Sequence, residues 1–312
     1  MLRRLVAGEV TEDEALAELR RVQLDALAGR ARLDLGRYLR RGIPEVVLAT
    51  GKSPDEAARL AVAMAGQHGQ GLVSRMTEAH RAALASAATH MRVVRYHSSA
   101  RVLRPGFAPE NAGGKVGILT AGTSDIAVAD EARMVVDACG IESRLDADLG
   151  VAGLHRFVAP LSGMLEWGAD VLIVAAGMDG VLPGLVAGLI DVPVIGLPVS
   201  TGYGRGGAGE GALTTMLQSC STGLVAVNID NGVGAGAAAV LIAARAAQGR
   251  RRGRSTANTA NTAAATSSSP NTAAAMMREA SAPPGMAKTR AKMTTVARTP
   301  ASSHGKPRRR RP

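Results

Sequence analysis

The hydrophobic pattern of residues 115–248 predicts strands that alternate with helices. Short apolar runs recur there, and each is followed by a stretch whose apolar residues return every three or four positions. The first pattern is typical of strands buried on both faces, and the second of helices packed on a sheet. Such alternation favours a doubly wound parallel sheet with right-handed crossovers. The expected strands are 116–120, 141–145, 171–175, 193–198 and 224–229.

The first hundred residues have a mixed pattern that predicts a small α+β domain. Thr11 with acidic residues after it predicts a helix over 11–27, and Ser53-Pro54-Asp55-Glu56 is a capping box with proline at the first helical position. The helix that begins at this capping box is expected to end at about 67, and a second helix is expected over 77–88. The expected strands are 45–49, 72–75 and 92–97. We assign 1–100 to this domain and the Pro- and Gly-containing segment 101–114 to a linker.

Composition separates a tail, 250–312, from the domain at 115–249. The tail is rich in Thr, Ala, Ser, Asn and Arg, and such a segment buries too little apolar surface to offset its chain entropy, which predicts disorder. It holds 14 of the 37 basic residues and one of the 26 acidic ones, so residues 1–249 carry a net charge of −2. The basic character of the chain is therefore a property of the tail, and nucleic-acid binding beyond weak tail contacts is not expected.

Several protein classes are disfavoured by the composition. Two cysteines are too few for a disulfide framework or a Cys-rich zinc site. The amino-terminal residues lack the apolar segment of a signal peptide, and no run of 18 apolar residues occurs, so we expect no membrane span. Because only 2% of the residues are aromatic, the core must consist of Ala, Val, Leu and Ile. The expected location is the cytoplasm.

Polar and glycine-rich clusters follow the strands expected in 115–249. The carboxyl ends of parallel strands meet at one edge of a sheet, where ligands bind, so we expect these clusters to form one site. The first, Gly122-Thr123-Ser124-Asp125, offers backbone donors and two hydroxyls to an anion at a helix start. Simple capping by Ser124 or Thr123 is the alternative. The cluster lacks the lysine of a P-loop.

Three further clusters present carboxylates or an imidazole. Asp179, after Gly177 and Met178, suits a general base or a cation ligand, with a surface turn as the alternative. Asp230 either forms a simple turn with Asn231 or faces a ribose or a metal ion. His155 is either a site residue or a residue on a helix face.

The motif Gly202-x-Gly204-x-x-Gly207 matches the spacing of a dinucleotide-binding loop. It occurs late in the expected sheet and lacks the acidic partner, so we interpret it as a glycine-rich loop over the site, with a plain linker as the alternative. The candidate binding residues across all clusters are Gly122, Thr123, Ser124, Gly153, Gly177, Met178, Tyr203, Gly204, Asp230 and Asn231.

The two cysteines have different settings. Cys139 lies among apolar residues late in an expected helix, which is typical of a small buried side chain. Cys220 has hydroxyls and glycine beside it and an expected site loop on either side, which makes it a candidate nucleophile.

In this order, the clusters resemble those of the LarB family of nickel-pincer nucleotide cofactor synthesis. The matching segments are LDLGRYLRRGIPEVV (33–47), TAGTSD (120–125), GVAGLHR (150–156), AAGMDGVLPG (175–184), GLPVSTGYG (196–204), SCSTG (219–223) and VNIDNGVGAG (227–236). The carboxyl domain also resembles AIR carboxylase, with a Ser-Asp after its first strand and a Leu-Pro-Gly helix start. The implied fold is α/β, a flavodoxin-like doubly wound sheet.

The resemblance implies an activity and roles for named residues. The family carboxylates carbon 5 of the pyridinium ring of nicotinic acid adenine dinucleotide and hydrolyses its phosphoanhydride, releasing AMP. Cys220 would be the nucleophile and Asp179 the base, where the family usually has Glu; Asp125 and His155 are the next candidate bases. The resemblance also implies magnesium, carbon dioxide or bicarbonate as a substrate, and a homo-oligomer. It implies no tightly bound organic cofactor, and it does not identify the residues that would bind the metal.

Two other functions remain open on the sequence. One is a purine-type carboxylase or mutase acting on a small ribonucleotide, for which Cys220 would be dispensable. The other is a non-enzymatic protein that binds nucleotides or nucleic acid through its basic tail.

Overall fold

A computed structural model describes residues 2–11, 13–14, 24–27, 31–34 and 42–267, with side chains described for 4–11, 13–14 and 42–252. The chain divides into two units, Met1–Thr256 and Ala257–Pro312. The architecture and the site described below belong to the first unit.

The amino-terminal segment contains a short helix and a hairpin. Helix α1 is Leu2–Val6, and strands β1 (Leu24–Leu27) and β2 (Ala31–Asp34) pair antiparallel. Thr11 Oγ1 accepts a bond from Glu14 N at 3.2 Å, and Glu14 accepts one from Thr11 N at 2.8 Å, which is the predicted helix cap. The predicted helix over 11–27 is wrong at its far end, because strand pairing overrides local helix propensity there. Residues 15–23 lie outside the described part of the chain.

The small domain, residues 42–103, is a mixed sheet covered by two helices. Its elements are β3 (Val46–Leu48), α2 (Pro54–His68), β4 (Gln70–Ser74), α3 (Glu78–Ala87), β5 (Arg92–Tyr96) and β6 (Ser99–Leu103). The strand order is β3-β4-β6-β5, in which β3 and β4 are parallel and the other pairs antiparallel. Strand β6 was not predicted, and it extends the domain to Leu103, so the linker begins after 103 and not at 101.

The carboxyl domain is a five-stranded parallel sheet with helices between its strands. Its elements are β7 (Lys115–Thr120), α4 (Ile126–Ala138), β8 (Glu142–Asp146), α5 (His155–Trp167), β9 (Val171–Ala176), α6 (Val181–Ala187), β10 (Val194–Pro198), α7 (Glu210–Leu217), β11 (Leu224–Ala226) and α8 (Gly232–Ser267). The strand order β8-β7-β9-β10-β11 is the flavodoxin-like one, which confirms the predicted fold.

Both faces of the carboxyl-domain sheet are buried. Strand β9 is buried at every position, and apolar clusters lie on its two sides, one against α4 and α8 and the other against α5, α6 and α7. Helix α8 lies close to α4, since a Cβ atom at Gly236 would be 2.6 Å from the Ala132 carbonyl oxygen. Small and branched side chains fill these clusters, as the low aromatic content predicts.

Helix α8 continues past the predicted start of the tail. It runs to Ser267, so the prediction of disorder from 250 is wrong for 250–267. Arg250 forms an ion pair with Asp170, the residue before β9, which holds this part of α8 to the domain. Residues 268–312, which carry the rest of that prediction, lie outside the described residues.

Helix α4 joins the small domain to the carboxyl domain. Gln70 Nε2 donates to the Ala138 carbonyl at 2.8 Å, Tyr96 Oη donates to Asp137 at 2.8 Å, and the His97 amide donates to Asp130 at 3.1 Å. Burial and the nearby Asp137 carboxylate raise the pKa of Tyr96 to about 12. The phenol therefore stays a donor at neutral pH, and one face of α4 is fixed to the small-domain sheet.

Glu131 on α4 predicts a pH-dependent stability. The side chain is buried, its carboxylate lies 3.6 Å from Arg75 Nε, and burial raises the pKa of Glu131. Because the folded state then binds this proton more tightly than the unfolded state, stability is lost as pH rises through the folded pKa. Glu131→Gln has no carboxyl group to titrate and so does not lose this stability. The melting temperature of the variant minus that of the wild type should therefore be larger at pH 8 than at pH 5. Scanning calorimetry at both values checks this; an equal difference at both would contradict it.

None of the helices in the described ranges is both long enough and apolar enough to cross a membrane.

Candidate active site

A cavity of about 330 Å³ lies at the carboxyl edge of the parallel sheet, the edge at which the strands end. Loops that follow β7, β8, β9 and β10 line it. The chain leaves β7 for one side of the sheet and β9 for the other, so the cavity occupies the switch point at which ligands bind in this fold.

The loop after β7 holds a buried carboxylate. Asp125 is 3% exposed, at the end of a single turn, Thr123–Asp125. Its Oδ2 accepts from the Gly122 amide at 2.8 Å, and its Oδ1 accepts from Thr201 Oγ1 at 2.7 Å. Both oxygens are engaged, so Asp125 ties this loop to the one after β10 and is poorly placed to take a substrate proton. Gly122 and Ser124 line the cavity beside it.

The loop after β9 carries an exposed carboxylate under a strained backbone. A Cβ atom at Gly177 would lie 2.1 Å from the Thr201 carbonyl oxygen, so only glycine fits. Met178 follows in the left-handed region, with φ of 48°, and its amide donates to Thr201 O at 3.1 Å. Asp179 is exposed and accepts a long bond, 3.4 Å, from the Val181 amide. Strain of this kind clusters at functional sites, and Asp179 lines the cavity.

Residues 150–152, after β8, form another wall of the cavity. Gly153 follows them directly, and His155 is the exposed first residue of α5. The Leu149 amide donates to Thr120 O at 3.0 Å, which keeps this loop against the end of β7. His155 therefore lies next to the wall and is not one of its residues.

The glycine-rich loop, 200–210, joins β10 to α7 at the same edge. Thr201 lines the cavity, Tyr203 is 82% exposed, and Gly204 has φ of 81°. The start of the loop therefore lines the cavity, whereas Tyr203 and Gly204 are not among the lining residues, and a loop that covers the site stays a prediction. Thr201 itself was not predicted, although a hydroxyl just after a buried strand in PVSTG was a usable signal.

Asp230 and Asn231 support the loop after β10 from its other side. The Asp230 amide donates to Pro198 O at 2.9 Å, and its carboxylate accepts from the Ser200 amide at 2.8 Å. Asn231 Oδ1 accepts from the Gly234 amide at 2.8 Å at the start of α8. Both side chains therefore hold backbone in this structure, and Asn231 lines a separate cavity of about 250 Å³.

Cys139 is a core residue, as predicted. It is 6% exposed, its Sγ donates to the Gly42 carbonyl oxygen at 3.5 Å, and burial raises its pKa to about 12. It is therefore a protonated thiol at neutral pH and unsuited to nucleophilic attack.

Cys220 is exposed but lies away from the cavity. It follows α7, which spans about 12 Å as an eight-residue helix and carries the chain back from the carboxyl edge. Ser221 Oγ donates to Gly184 O at 2.7 Å along α6, and Gly223 O accepts from the Val194 amide at 3.0 Å at the amino end of β10. From the site loops on either side of it in sequence, Cys220 was expected to lie in the same site. Within one chain that expectation is wrong, because Cys220 is not among the residues that line the cavity.

The two thiols should differ sharply in alkylation. Iodoacetamide at pH 8 is expected to modify Cys220 and to leave Cys139 unmodified in the folded protein, because Cys139 is buried and burial raises its pKa to about 12. Peptide mass spectrometry after a short reaction measures this. Unfolding in urea should make both thiols reactive; equal labelling in the folded state would contradict the buried position of Cys139.

No group of three or more His, Cys, Asp or Glu side chains suited to a metal ion occurs among the described residues. In the cavity, Asp125 has both oxygens engaged, which leaves Asp179 as an available carboxylate. These residues do not fit a metal site built from protein ligands alone.

The chain is similar to known proteins along both domains. A model of the AIR carboxylase family matches residues 115–264, and a model of the LarB/PurE-like N-terminal domain matches residues 25–105. An uncharacterized protein of Methanocaldococcus jannaschii is 37% identical over 242 residues, which cover 76% of this chain and 93% of that protein. An N5-carboxyaminoimidazole ribonucleotide mutase of Thermotoga maritima is 30% identical over 131 residues, 41% of this chain and 74% of the mutase.

The flavodoxin-like sheet with its cavity at the carboxyl edge, together with these matches, defines a carboxylase-type enzyme with an AIR carboxylase domain. The match of residues 25–105 to the LarB/PurE-like N-terminal domain identifies the family within this class of enzymes. The chain belongs to the LarB-like family, in which a LarB/PurE-like domain precedes the AIR carboxylase domain.

Proposed function

We propose that the enzyme carboxylates carbon 5 of the pyridinium ring of nicotinic acid adenine dinucleotide and hydrolyses the phosphoanhydride. The products are pyridinium-3,5-biscarboxylic acid mononucleotide and AMP, and the mononucleotide would serve nickel-pincer nucleotide cofactor synthesis. The observation that carries the proposal is Cys220, an exposed thiol in a LarB-like chain whose other cysteine is buried and protonated.

The thiol solves a chemical problem that this substrate poses. A pyridinium ring is too electron-poor to attack carbon dioxide. Addition of the Cys220 thiolate at ring carbon 4 gives a dihydropyridine in which carbon 5 is an enamine carbon and attacks carbon dioxide. The Asp179 carboxylate then takes the proton from carbon 5, and expulsion of the thiolate restores the aromatic ring. Covalent catalysis thus divides one difficult step into easier ones.

The loops at the carboxyl edge suit the phosphates of the substrate. Thr123 and Ser124 are exposed at the turn that leads into α4, where backbone amides and the helix dipole favour anions. Magnesium is proposed to arrive with the pyrophosphate, since this ion is commonly held by substrate phosphates and one or two carboxylates. Asp179 is assigned to the ring proton, so the substrate phosphates would hold the ion, and no step is assigned to it.

The Cys220 thiol and the Asp179 carboxylate must both reach the pyridinium ring, but within one chain they lie far apart. Asp179 lies beyond the carboxyl end of β9, whereas Cys220 lies near the amino ends of β10 and β11. A strand of five residues, such as β10, is about 16 Å long. We therefore propose a homo-oligomer in which a second copy supplies Cys220 to the cavity that holds Asp179. Both side chains are exposed and so available to an interface.

A second candidate is a purine-type mutase that acts on a small ribonucleotide. It is favoured by relatives named N5-carboxyaminoimidazole ribonucleotide mutase, such as that of Pyrococcus abyssi, 34% identical over 91 residues, 28% of this chain and 50% of that protein. The cavity at the carboxyl edge suits either substrate, but such a reaction needs no thiol, so dependence on Cys220 separates the two.

A direct test presents both substrates to the full chain. The protein is incubated with bicarbonate, magnesium and either nicotinic acid adenine dinucleotide or N5-carboxyaminoimidazole ribonucleotide. The products are separated by chromatography and identified by mass and absorbance spectra. We expect AMP and a carboxylated pyridinium mononucleotide from the first and no turnover of the second. Turnover of the ribonucleotide alone would establish the mutase function instead.

A further inference from the structure

Arg75 reaches from the small domain to the turn that follows β11 in the carboxyl domain. It follows β4 in the left-handed region, with φ of 56°, an uncommon conformation for a residue with a side chain. The backbone on either side is pinned, since the Ala49 amide donates to Ser74 O at 2.9 Å and the Met76 amide donates to Ser98 O at 2.7 Å. The small-domain sheet therefore imposes this conformation and directs the side chain out of the domain.

The guanidinium of Arg75 holds the turn between β11 and α8. It donates to the main-chain oxygen of Asp230, and its Nε lies 3.6 Å from the Glu131 carboxylate. Glu131 is 3% exposed, and a Cβ atom at Gly232 would lie 2.8 Å from its Oε2, so its carboxylate lies against the same turn. Arg75 is thus fixed at two points of the carboxyl domain.

Two hydrogen bonds, joined by short stretches of backbone, lead from that turn to Asp179. The Asp230 carboxylate accepts from the Ser200 amide at 2.8 Å, and the next residue, Thr201, accepts at its carbonyl from the Met178 amide at 3.1 Å. Met178 immediately precedes Asp179. Displacement of the turn would therefore shift the backbone from which the Asp179 carboxylate projects.

We infer, on the basis of the proposed function, that Arg75 is a positioning residue for Asp179, by which the small domain sets the geometry of proton removal. Arg75 acts through Asp230, Ser200 and Thr201 and is not among the residues that line the cavity. This assigns to the small domain a task in catalysis at a cavity that the carboxyl domain alone lines.

The kinetic test compares Arg75→Ala with Arg75→Lys and with Arg92→Ala, a control at an exposed arginine of the same domain. Arg75→Ala should lower kcat for carboxylation by about tenfold or more while KM stays within about twofold, because small errors in placing a reacting group cost rate. Arg75→Lys should recover part of the rate by donating to the Asp230 oxygen. An unchanged kcat, or a change confined to KM, would overturn the positioning role.

A second variant keeps the test decisive if Arg75→Ala leaves the buried Glu131 carboxylate unpaired and unfolds the protein. The double variant Arg75→Ala/Glu131→Gln removes that charge, so it should melt near wild type and still show the reduced kcat. Recovery of both melting temperature and kcat would show that Arg75 serves stability alone.

Hydrogen exchange tests the same inference without any turnover. In the double variant the amides of Ser200 and Asp230 should exchange about tenfold faster than in Glu131→Gln, while strand β9 should not change. Unchanged exchange would overturn the inference, whatever the substrate. Faster exchange in a protein that carboxylates no dinucleotide would refute the proposed function and leave Arg75 as the residue that orders these loops.

Discussion

Cys220→Ser should abolish carboxylation of nicotinic acid adenine dinucleotide while the protein stays folded. A serine hydroxyl is far less nucleophilic than a thiolate toward ring carbon 4, so carbon 5 would not gain enamine character, and turnover should fall by about a thousandfold or more. Because the side chain is exposed, the melting temperature should change little. Turnover is measured from the carboxylated product at saturating substrate.

The other cysteine provides the matched control. Cys139→Ser places a hydroxyl where the buried thiol contacts the Gly42 carbonyl oxygen, so it should keep most of its activity. Near-normal turnover by Cys220→Ser would exclude the thiol mechanism and favour the mutase function. Equal loss in the two variants would indicate damage to the fold rather than to the chemistry.

Asp179→Asn should lower carboxylation by about 100-fold or more, the usual size of general-base catalysis. The amide has nearly the shape of the carboxylate and can still accept from the Val181 amide, so the loop should hold its conformation. What is lost is the ability to take the proton from carbon 5. Asp179→Glu restores the residue that the resemblance leads us to expect and should be at least as active as wild type.

If Asp179→Asn keeps wild-type turnover, another residue acts as the base. His155 is then the stronger of the two remaining candidates, because it is exposed, whereas both oxygens of Asp125 already accept hydrogen bonds.

The two inactive variants together test the shared site. If one copy supplies Cys220 and another supplies Asp179, mixing the variants under conditions that exchange subunits rebuilds intact sites in mixed oligomers. A pairwise shared site predicts recovery of about a quarter of wild-type activity. No recovery, with subunit exchange demonstrated by mass, would place both groups in one copy.

The sequence predicts the carboxyl domain well because its signals are strong there. Strands such as β9, buried throughout, give unbroken apolar runs, and the helices between them are amphipathic, so order and type follow. The loops at the strand ends then converge by topology alone, which is why the sequence pattern predicts that Gly122, Ser124, Gly177 and Asp179 share one cavity.

Other features depend on contacts that no local pattern encodes. The position of Cys220 depends on where α7 ends relative to β11, so proximity in sequence to two site loops was misleading. Strand β6 follows β5 after a very short turn, so the sequence prediction assigned most of its residues to the linker. Helix α8 continues past 250, where Arg250 pairs with Asp170, a residue far away in sequence.

The most direct test of the proposed function follows the fate of labelled carbon. The wild-type enzyme, Cys220→Ser and Asp179→Asn are incubated with nicotinic acid adenine dinucleotide, magnesium and carbon-13 bicarbonate, and the mononucleotide fraction is analysed by mass spectrometry and carbon NMR. The wild-type product should be a mononucleotide carrying labelled carbon in a carboxyl group on ring carbon 5, with AMP in equal amount, and neither variant should form it at a comparable rate. A wild-type enzyme that leaves the dinucleotide unlabelled and intact would contradict the proposed function.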